Sequence, residues 1–333
     1  MPRHPNEPLR LGIVGTGRFG ILHALTAAGL AEAELVALVD EQPETLELAR
    51  RLLPHVPSWT DLNQALSDSG ADAWVVATTT ATHARVARAI LEAGRPVLVE
   101  KPLGTHLADA RLLAPWVRPD SSNLMMGHIL LFSTELRQLQ EEVRERGPVV
   151  FIQSVRHRPA TTLESHPGEN PLHLLMVHDL YLTLVLLKRA EPSRFHAQLH
   201  RHEKGGQDLA VAELEWPDGA LVSCAASFLS PAGMAGHGFD RLEVFGTNWM
   251  ARVQPNPRPI ELWDERARWP LALEIRANPN APSGMLAEEL RCFCRVARGL
   301  EPVPVGATYA DALQIQGWLA ELERSASNNS AGK

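Results

Sequence analysis

Cysteine is scarce in this chain: three in 333 residues, Cys224, Cys292 and Cys294. An odd, low count at these spacings builds no disulfide framework and points to a reducing compartment. Cys292 and Cys294 are two apart in a helical pattern, so they face different sides and do not have the spacing of a zinc pair. Positive charge is also short: 32 Lys and Arg against 39 Asp and Glu give a formal net charge of −7. No basic face is evident, which argues against a nucleic-acid partner, and the acidity itself serves solubility. Long apolar runs are missing as well. The opening MPRHPNEPLR has no apolar core, so it does not read as a signal peptide. The most apolar stretch, 172–187, is broken by His173, His178 and Asp179 and is too short and polar to span a bilayer. No internal repeat and no long low-complexity linker is seen. These absences leave neither nucleic acid nor membrane as an expected partner and make the cytoplasm the expected location.

What is present is core material: 45% of residues are apolar and 21% charged, and the length suits two domains. In the first third, short apolar runs (11–14, 35–39, 73–77, 97–99, 124–126) alternate with helical patterns (19–29, 43–53, 83–93, 107–117). That rhythm predicts parallel βαβ units with strands buried on both faces. Beyond residue 127 the rhythm changes. An amphipathic helix at 133–146 stops at Gly147-Pro148, a strand follows at 149–157, and a buried helix at 172–187. Strand-like runs come next at 209–216, 220–228, 241–245, 249–253 and 260–263, with a hairpin signal at Pro217-Asp218-Gly219. Helices at 283–298 and 308–324 close the chain, and the tail SASNNSAGK is expected to be disordered. The expected fold is thus α/β, a Rossmann-like doubly wound parallel sheet over 1–126, plus an α+β domain with a large, mostly antiparallel open sheet over 127–333.

The sharpest local signal is Gly15-Thr16-Gly17-Arg18-Phe19-Gly20, a G-x-G-x-x-G between a strand and a helix. The first glycine permits the tight turn, the second lets a pyrophosphate approach the backbone, and the third lets helix and strand pack closely. The helix start offers free N–H groups and a partial positive charge to phosphates. Asp40 stands 20 residues beyond Gly20 at the end of the next strand, where a carboxylate accepts from ribose hydroxyls. It also repels a 2′-phosphate; Glu41 follows and no Arg is adjacent, so the expected cofactor is NAD, with NADP disfavoured. Two other readings stand beside this one: a glycine-tight turn with no ligand, in which Asp40 only caps a helix, and a site for FAD.

The run Val97-Leu98-Val99-Glu100-Lys101-Pro102-Leu103 resembles the Glu-Lys-Pro motif of the glucose–fructose oxidoreductase / inositol dehydrogenase family (Gfo/Idh/MocA). The resemblance takes in Thr78-Thr79-Thr80-Ala81-Thr82-His83, Gly127-His128, His178-Asp179 and the closing helices, so it spans nearly the whole chain. It implies a cofactor domain, a substrate domain and association of copies through the second domain's sheet, as a homodimer or homotetramer. It also implies hydride transfer at a carbinol of a sugar, cyclitol, nucleotide sugar or related small molecule. Thr78, Thr79, His83, Glu100 and Lys101 join the glycine loop and Asp40 as implied cofactor contacts.

Lys101 has a physical reading of its own. It follows a buried strand at the carboxyl end, where ligands bind in doubly wound sheets, and an ammonium there can stabilise a developing alkoxide and exchange a proton with it. The bland alternative is a surface lysine. His178 interrupts an otherwise apolar helix and needs a partner or a ligand; on the resemblance it is the substrate-contacting histidine, and otherwise a satisfied core histidine. His128, Asp179 and Tyr181 are further candidates for the substrate. Arg156 and Arg158, two apart on a strand, share a side and could grip an anionic group or lie on a solvated or dimer-facing edge. A metal at His166, His173 and His178 fits no common ligand spacing, and none is expected.

The chain departs from the family pattern in places. Leu174 stands where the resemblance implies an Asp four residues before the histidine, Glu169 and Asn170 replace glycines, Tyr181 replaces an acid, and Leu131 an Arg. A shortened proton relay leaves three readings open: a dehydrogenase or reductase using Lys101 and His178, an NAD-binding regulatory or interaction protein without turnover, and a hydrolase or lyase using bound NAD for transient oxidation.

Overall fold

The computed structural model describes residues 7–166, 168–188, 190–202, 206–234, 238–258, 260, 262–263, 265, 267–269 and 274–331. Its elements run β1 (Leu9–Val14), α1 (Arg18–Gly29), β2 (Ala33–Val39), α2 (Pro43–Leu52), β3 (Ser58–Trp59), α3 (Leu62–Asp68), β4 (Ala73–Val76), α4 (Thr80–Glu92), β5 (Val97–Glu100), α5 (Leu107–Arg111) and β6 (Leu124–Gly127). There follow α6 (Thr134–Arg146), β7 (Val149–Pro159), α7 (Thr162–Ser165), α8 (Val177–Leu186), β8 (Arg194–Arg201), β9 (Gln207–Glu215), β10 (Leu221–Ser230), β11 (Phe239–Gly246), β12 (Trp249–Asn256), α9 (Met285–Ala297) and α10 (Tyr309–Ala331). Two compact units result: 1–132 with 275–313, and 133–274 with 314–333.

The first unit holds a six-stranded sheet in the order β3-β2-β1-β4-β5-β6, parallel at every pairing. β4, β5 and β6 are buried along their whole length, as strands covered on both faces must be. Strand order reverses between β1 and β4, which places a topological switch point at their carboxyl ends. Gly12 lets the two strands pack, since a Cβ there would lie 2.3 Å from the Trp74 ring. β3 and α3 are too short to show a hydrophobic period and were not expected. α5 ends at Arg111, short of the expected 117; Pro115 has no N–H to donate and disfavours helical geometry in the residue before it. The 275–313 segment returns to this unit, where α9 packs on α1 and on the 3₁₀ turn Ile129–Phe132.

The second unit has a six-stranded sheet ordered β12-β11-β7-β10-β9-β8, antiparallel except for the parallel β7–β10 pair. The β9–β10 hairpin turns at the expected Pro217-Asp218-Gly219, with Gly219 at φ +89°. Along β7 the even-numbered Ile152, Ser154 and Arg156 are buried on the side that α8 packs against. β8 was not expected: its sequence RFHAQLHR is polar, as suits an edge strand. The 172–187 segment is two elements, a π-helical turn over Leu172–Met176 and then α8. Of the expected strand 260–263 only Leu262–Trp263 is extended, and Glu261 lies outside the described residues. α10 continues through the stretch expected to be disordered as far as Ala331. At the start of that stretch the Ala197 N–H donates to Ser325 Oγ at 3.2 Å. The last two residues, 332–333, lie outside the described set. No described helix is long and apolar enough to cross a membrane.

Candidate functional site

In the first unit the candidates gather at the carboxyl edge of the parallel sheet. Gly15 closes the turn after β1 at φ +89°, and a Cβ there would meet the Ala77 carbonyl oxygen at 2.6 Å. Gly20 packs α1 against that turn so closely that a Cβ would fall 1.8 Å from Gly15 O. Gly17 differs: its φ of −65° suits any residue, and a Cβ would meet nothing within 4 Å. Its lack of a side chain therefore serves approach from outside. α1 begins there with no side-chain cap and no acid in its first turn; Arg18 is exposed and Phe19 half-buried. Free N–H groups, a partial positive charge and an open backbone fit a pyrophosphate.

Asp40 lies against the same loop. Its Oδ2 accepts from the Thr16 N–H at 2.7 Å and from Thr16 Oγ1 at 3.1 Å, and its Oδ1 from the Gln42 N–H at 2.9 Å. The exposed Glu41 is not alone, as its neighbours in sequence suggest, but pairs with Arg85 of α4 at 3.2 Å. That cation beside the expected ribose position was invisible from sequence adjacency.

His83 is buried, with Nδ1 2.8 Å from Pro102 O and Nε2 3.1 Å from Thr78 O. It ties the loop after β4 to the segment after β5, and so holds the carbonyl of Pro102, the residue next to Lys101. Burial lowers its pKa against the pull of the two carbonyls. Lys101 follows β5 directly, half-buried, through a cis bond to Pro102. Thr78 and Thr79 enter α4, Thr79 as its N-cap residue. His128, fully buried, follows β6. The interstrand spacing puts the ends of β1 and β5, two strands apart, roughly 10 Å from each other.

Behind Lys101, Glu100 turns its carboxylate inward. His23 Nε2 donates to Glu100 Oε1 at 2.8 Å. A Cβ on Gly127 would lie 2.9 Å from that oxygen, so glycine is what leaves it room. Glu289 of α9 completes a buried trio, with ligand atoms of the three side chains all within 4.8 Å of one another. His23 and Glu289 were not picked out from sequence. Their signal was there: Glu289 sits among Met285, Leu286, Leu290 and Phe293 on the apolar face of α9, a carboxylate where a hydrophobe belongs.

In the second unit, His178 is half-buried in the first turn of α8, just after the π-helical turn, a distortion often found at functional positions. Asp179 beside it is buried and held by Arg156 of β7 through two bonds, Nε to Oδ2 at 3.1 Å and Nη2 to Oδ1 at 3.0 Å. Arg156 Nη1 also reaches Asp240 Oδ2 of β11 at 3.0 Å, and Arg158 grips Asp240 twice, at 2.6 and 2.9 Å. Two guanidiniums and two carboxylates thus close a charge-neutral network. Burial pushes the Asp179 carboxyl up while Arg156 opposes it; an always-charged guanidinium bonded on both oxygens keeps the carboxylate ionised at neutral pH. Arg156 and Arg158 share a side, as their spacing implied, and both have internal partners. Tyr181 is buried on α8. His173 Nε2 reaches Glu323 of α10 at 2.7 Å.

Residues 9–128, with the glycine loop, Asp40, Lys101 and His128, match the model of an oxidoreductase family with an NAD-binding Rossmann fold. Residues 135–252, with Arg156, His178, Asp179 and Asp240, match the Gfo/Idh/MocA C-terminal domain. Inositol 2-dehydrogenase of Rhizobium meliloti (strain 1021) is 32% identical over 76% of this chain and 78% of that protein. The chain belongs to the Gfo/Idh/MocA family of NAD-binding oxidoreductases. Another relative, inositol 2-dehydrogenase 1 of Saccharopolyspora erythraea, is 33% identical over 54% of each chain, so the match spans about half of that protein. The crystal structure of GenD2 from gentamicin A biosynthesis, in complex with NAD, superimposes at a TM-score of 0.83, with 25% identity over 99% of this chain and 97% of that one. The two family matches fall one in each unit, and the first of them is the NAD-binding Rossmann fold.

Proposed function

We propose that this family member is an NAD-dependent dehydrogenase or reductase acting on a carbinol of a polyol, a cyclitol, sugar or sugar derivative. The observation that carries the reading is the carboxyl edge of the first sheet, which presents the open Gly17 turn, Asp40 and Lys101 on one side of one sheet. Bound NAD supplies a hydride acceptor. The chain's own work is to hold it and to move a proton. The α1 start and the Gly17 backbone take the pyrophosphate, and Asp40 takes the adenosine ribose. The Lys101 ammonium exchanges the hydroxyl proton of the substrate and steadies the alkoxide as it forms. In the second unit the Arg156–Asp179 pair fixes the turn of α8 on which His178, the other residue proposed to handle a proton, stands. His83 acts on Lys101 through the backbone of Pro102.

The second sheet's open face supports association of copies, since Val211, Leu221 and Met250 are exposed there and Phe151 stacks on Phe245 at 5.6 Å. Three thiols without disulfide partners support a cytoplasmic location.

The test is Lys101→Met, with NAD binding by calorimetry beside turnover on a panel of inositols and sugars. The expected result is a kcat lower by about 10²–10⁴-fold with NAD affinity kept. Unchanged turnover in the variant would sink the proton-transfer role. Tight NAD binding by the native chain with no turnover on any polyol would move it to the regulatory reading, which Leu174 in place of the implied acid favours.

A further inference from the structure

The trio behind Lys101 has an unbalanced account of charge. Glu289 is 0% exposed, and neither of its carboxylate oxygens has a hydrogen-bond partner among the described residues. Glu100 and His23 each place a side-chain polar atom within 4.8 Å of it. Glu100 has a donor to hold a charge, the His23 N–H at 2.8 Å, and Glu289 has none. Two carboxylates so close and so dry do not both ionise. We propose that Glu289 is a neutral carboxylic acid in the folded protein, sharing one proton with Glu100, and that it thereby holds the negative charge next to Lys101 at one.

Among the described residues, the elements that pack most on α9 supply no further compensating cation. α1 contributes the exposed Arg18 besides His23, and the strand Ile275–Arg276 contributes the exposed Arg276. On α9 itself Arg291 pairs with Glu288 and Arg295 with Glu301. Burial and the Glu100 carboxylate both push the Glu289 carboxyl well above the ordinary carboxylate range. The consequence is functional as well as structural. An ionised Glu289 would add a second negative charge in the wall behind Lys101, favour the ammonium and hinder its release of a proton. Glu289 is on this view a positioning residue, acting through Glu100. The effect on Lys101 rests on the function proposed above; the protonation of Glu289 does not.

Two measurements on the full-length protein decide the protonation. The infrared spectrum at neutral pH should carry the C=O stretch of a protonated carboxylic acid, and Glu289→Gln should remove it. Urea unfolding should then be followed from pH 4.5 to 8. The unfolded chain releases this proton above its ordinary pKa while the folded state keeps it. The penalty is therefore absent at the acid end and grows as pH rises toward the folded pKa. The unfolding constant of the native protein relative to Glu289→Gln should increase about tenfold per pH unit in that window. Should the Gln variant not fold, Glu289→Met serves for the same two measurements. No carboxylic-acid band and parallel stability curves would overturn the proposal. So would a stoichiometric divalent metal in the purified protein by mass spectrometry, since the trio would then be ionised ligands. For the link to Lys101, the kcat–pH midpoint should stay in place in Glu289→Gln; a midpoint moved to lower pH would show that a charge had been removed.

Discussion

At the carboxyl edge of the first sheet, Gly17 has no atom within 4 Å of where a side chain would begin, and α1 starts with no cap. Behind the second sheet, Arg156, Arg158, Asp179 and Asp240 close on one another with bonds of 2.6–3.1 Å. Both regions gather polar groups, to opposite ends. The first leaves backbone donors unsatisfied, which is worth keeping only where a ligand supplies the acceptors. The second satisfies every charge internally, which fixes the pitch of α8 and with it the place of His178. An edge left open and a network closed on itself are thus told apart by where their hydrogen bonds end.

The comparison breaks most readily in the second unit. Arg156→Met leaves Asp179 without its guanidinium and Asp240 with only Arg158, so the unfolding free energy should fall by about 3–5 kcal/mol in urea denaturation. Adding Asp179→Leu should recover part of that loss, because the buried charge goes too. If the single variant is as stable as the native chain, the network is not what holds α8.

Gly17→Val should do the reverse. Its backbone angles suit any residue and its Cβ meets nothing, so the melting temperature should stay while calorimetry shows weaker NAD binding. Loss of one charge-assisted hydrogen bond, about 1.5–3 kcal/mol, corresponds to roughly 10–100-fold in affinity. A large drop in melting temperature would mean that the glycine serves packing, as Gly15 and Gly20 do.

The smallest effect sharpens the picture of the segment around Lys101. His83 is held below its ordinary pKa by burial. As pH falls below about 6.5, the unfolded chain takes up a proton that the folded state refuses, and stability drops by up to about 1.4 kcal/mol per unit until the folded pKa is reached. Above that window the histidine is neutral in both states and contributes no slope. His83→Gln should flatten this part of the stability curve; an unchanged curve would assign the acid sensitivity to another group.

The glycine loop, Asp40, Glu100-Lys101-Pro102 and the rhythm of the parallel sheet were all legible in the sequence, because each is local: a turn, a strand end, a period of burial. The β9–β10 hairpin was legible for the same reason, through the Gly219 turn. β8 and the last turns of α10 were not. A polar edge strand lacks alternation, and a tail rich in Ser and Asn becomes helix only where the rest of the unit, through Ala197 and Ser325, gives it something to bind.

Chain order alone determined the sheet type of each half, the glycine turn and the lysine at the end of β5, since these follow from local spacing and steric limits on the backbone. Folding in three dimensions decided that Arg85 meets Glu41, that Arg156 belongs to Asp179, and that Glu289, distant in sequence, comes back to lie against Glu100. Those pairings join charged residues far apart in the chain, and no periodicity records which partner a charge will find.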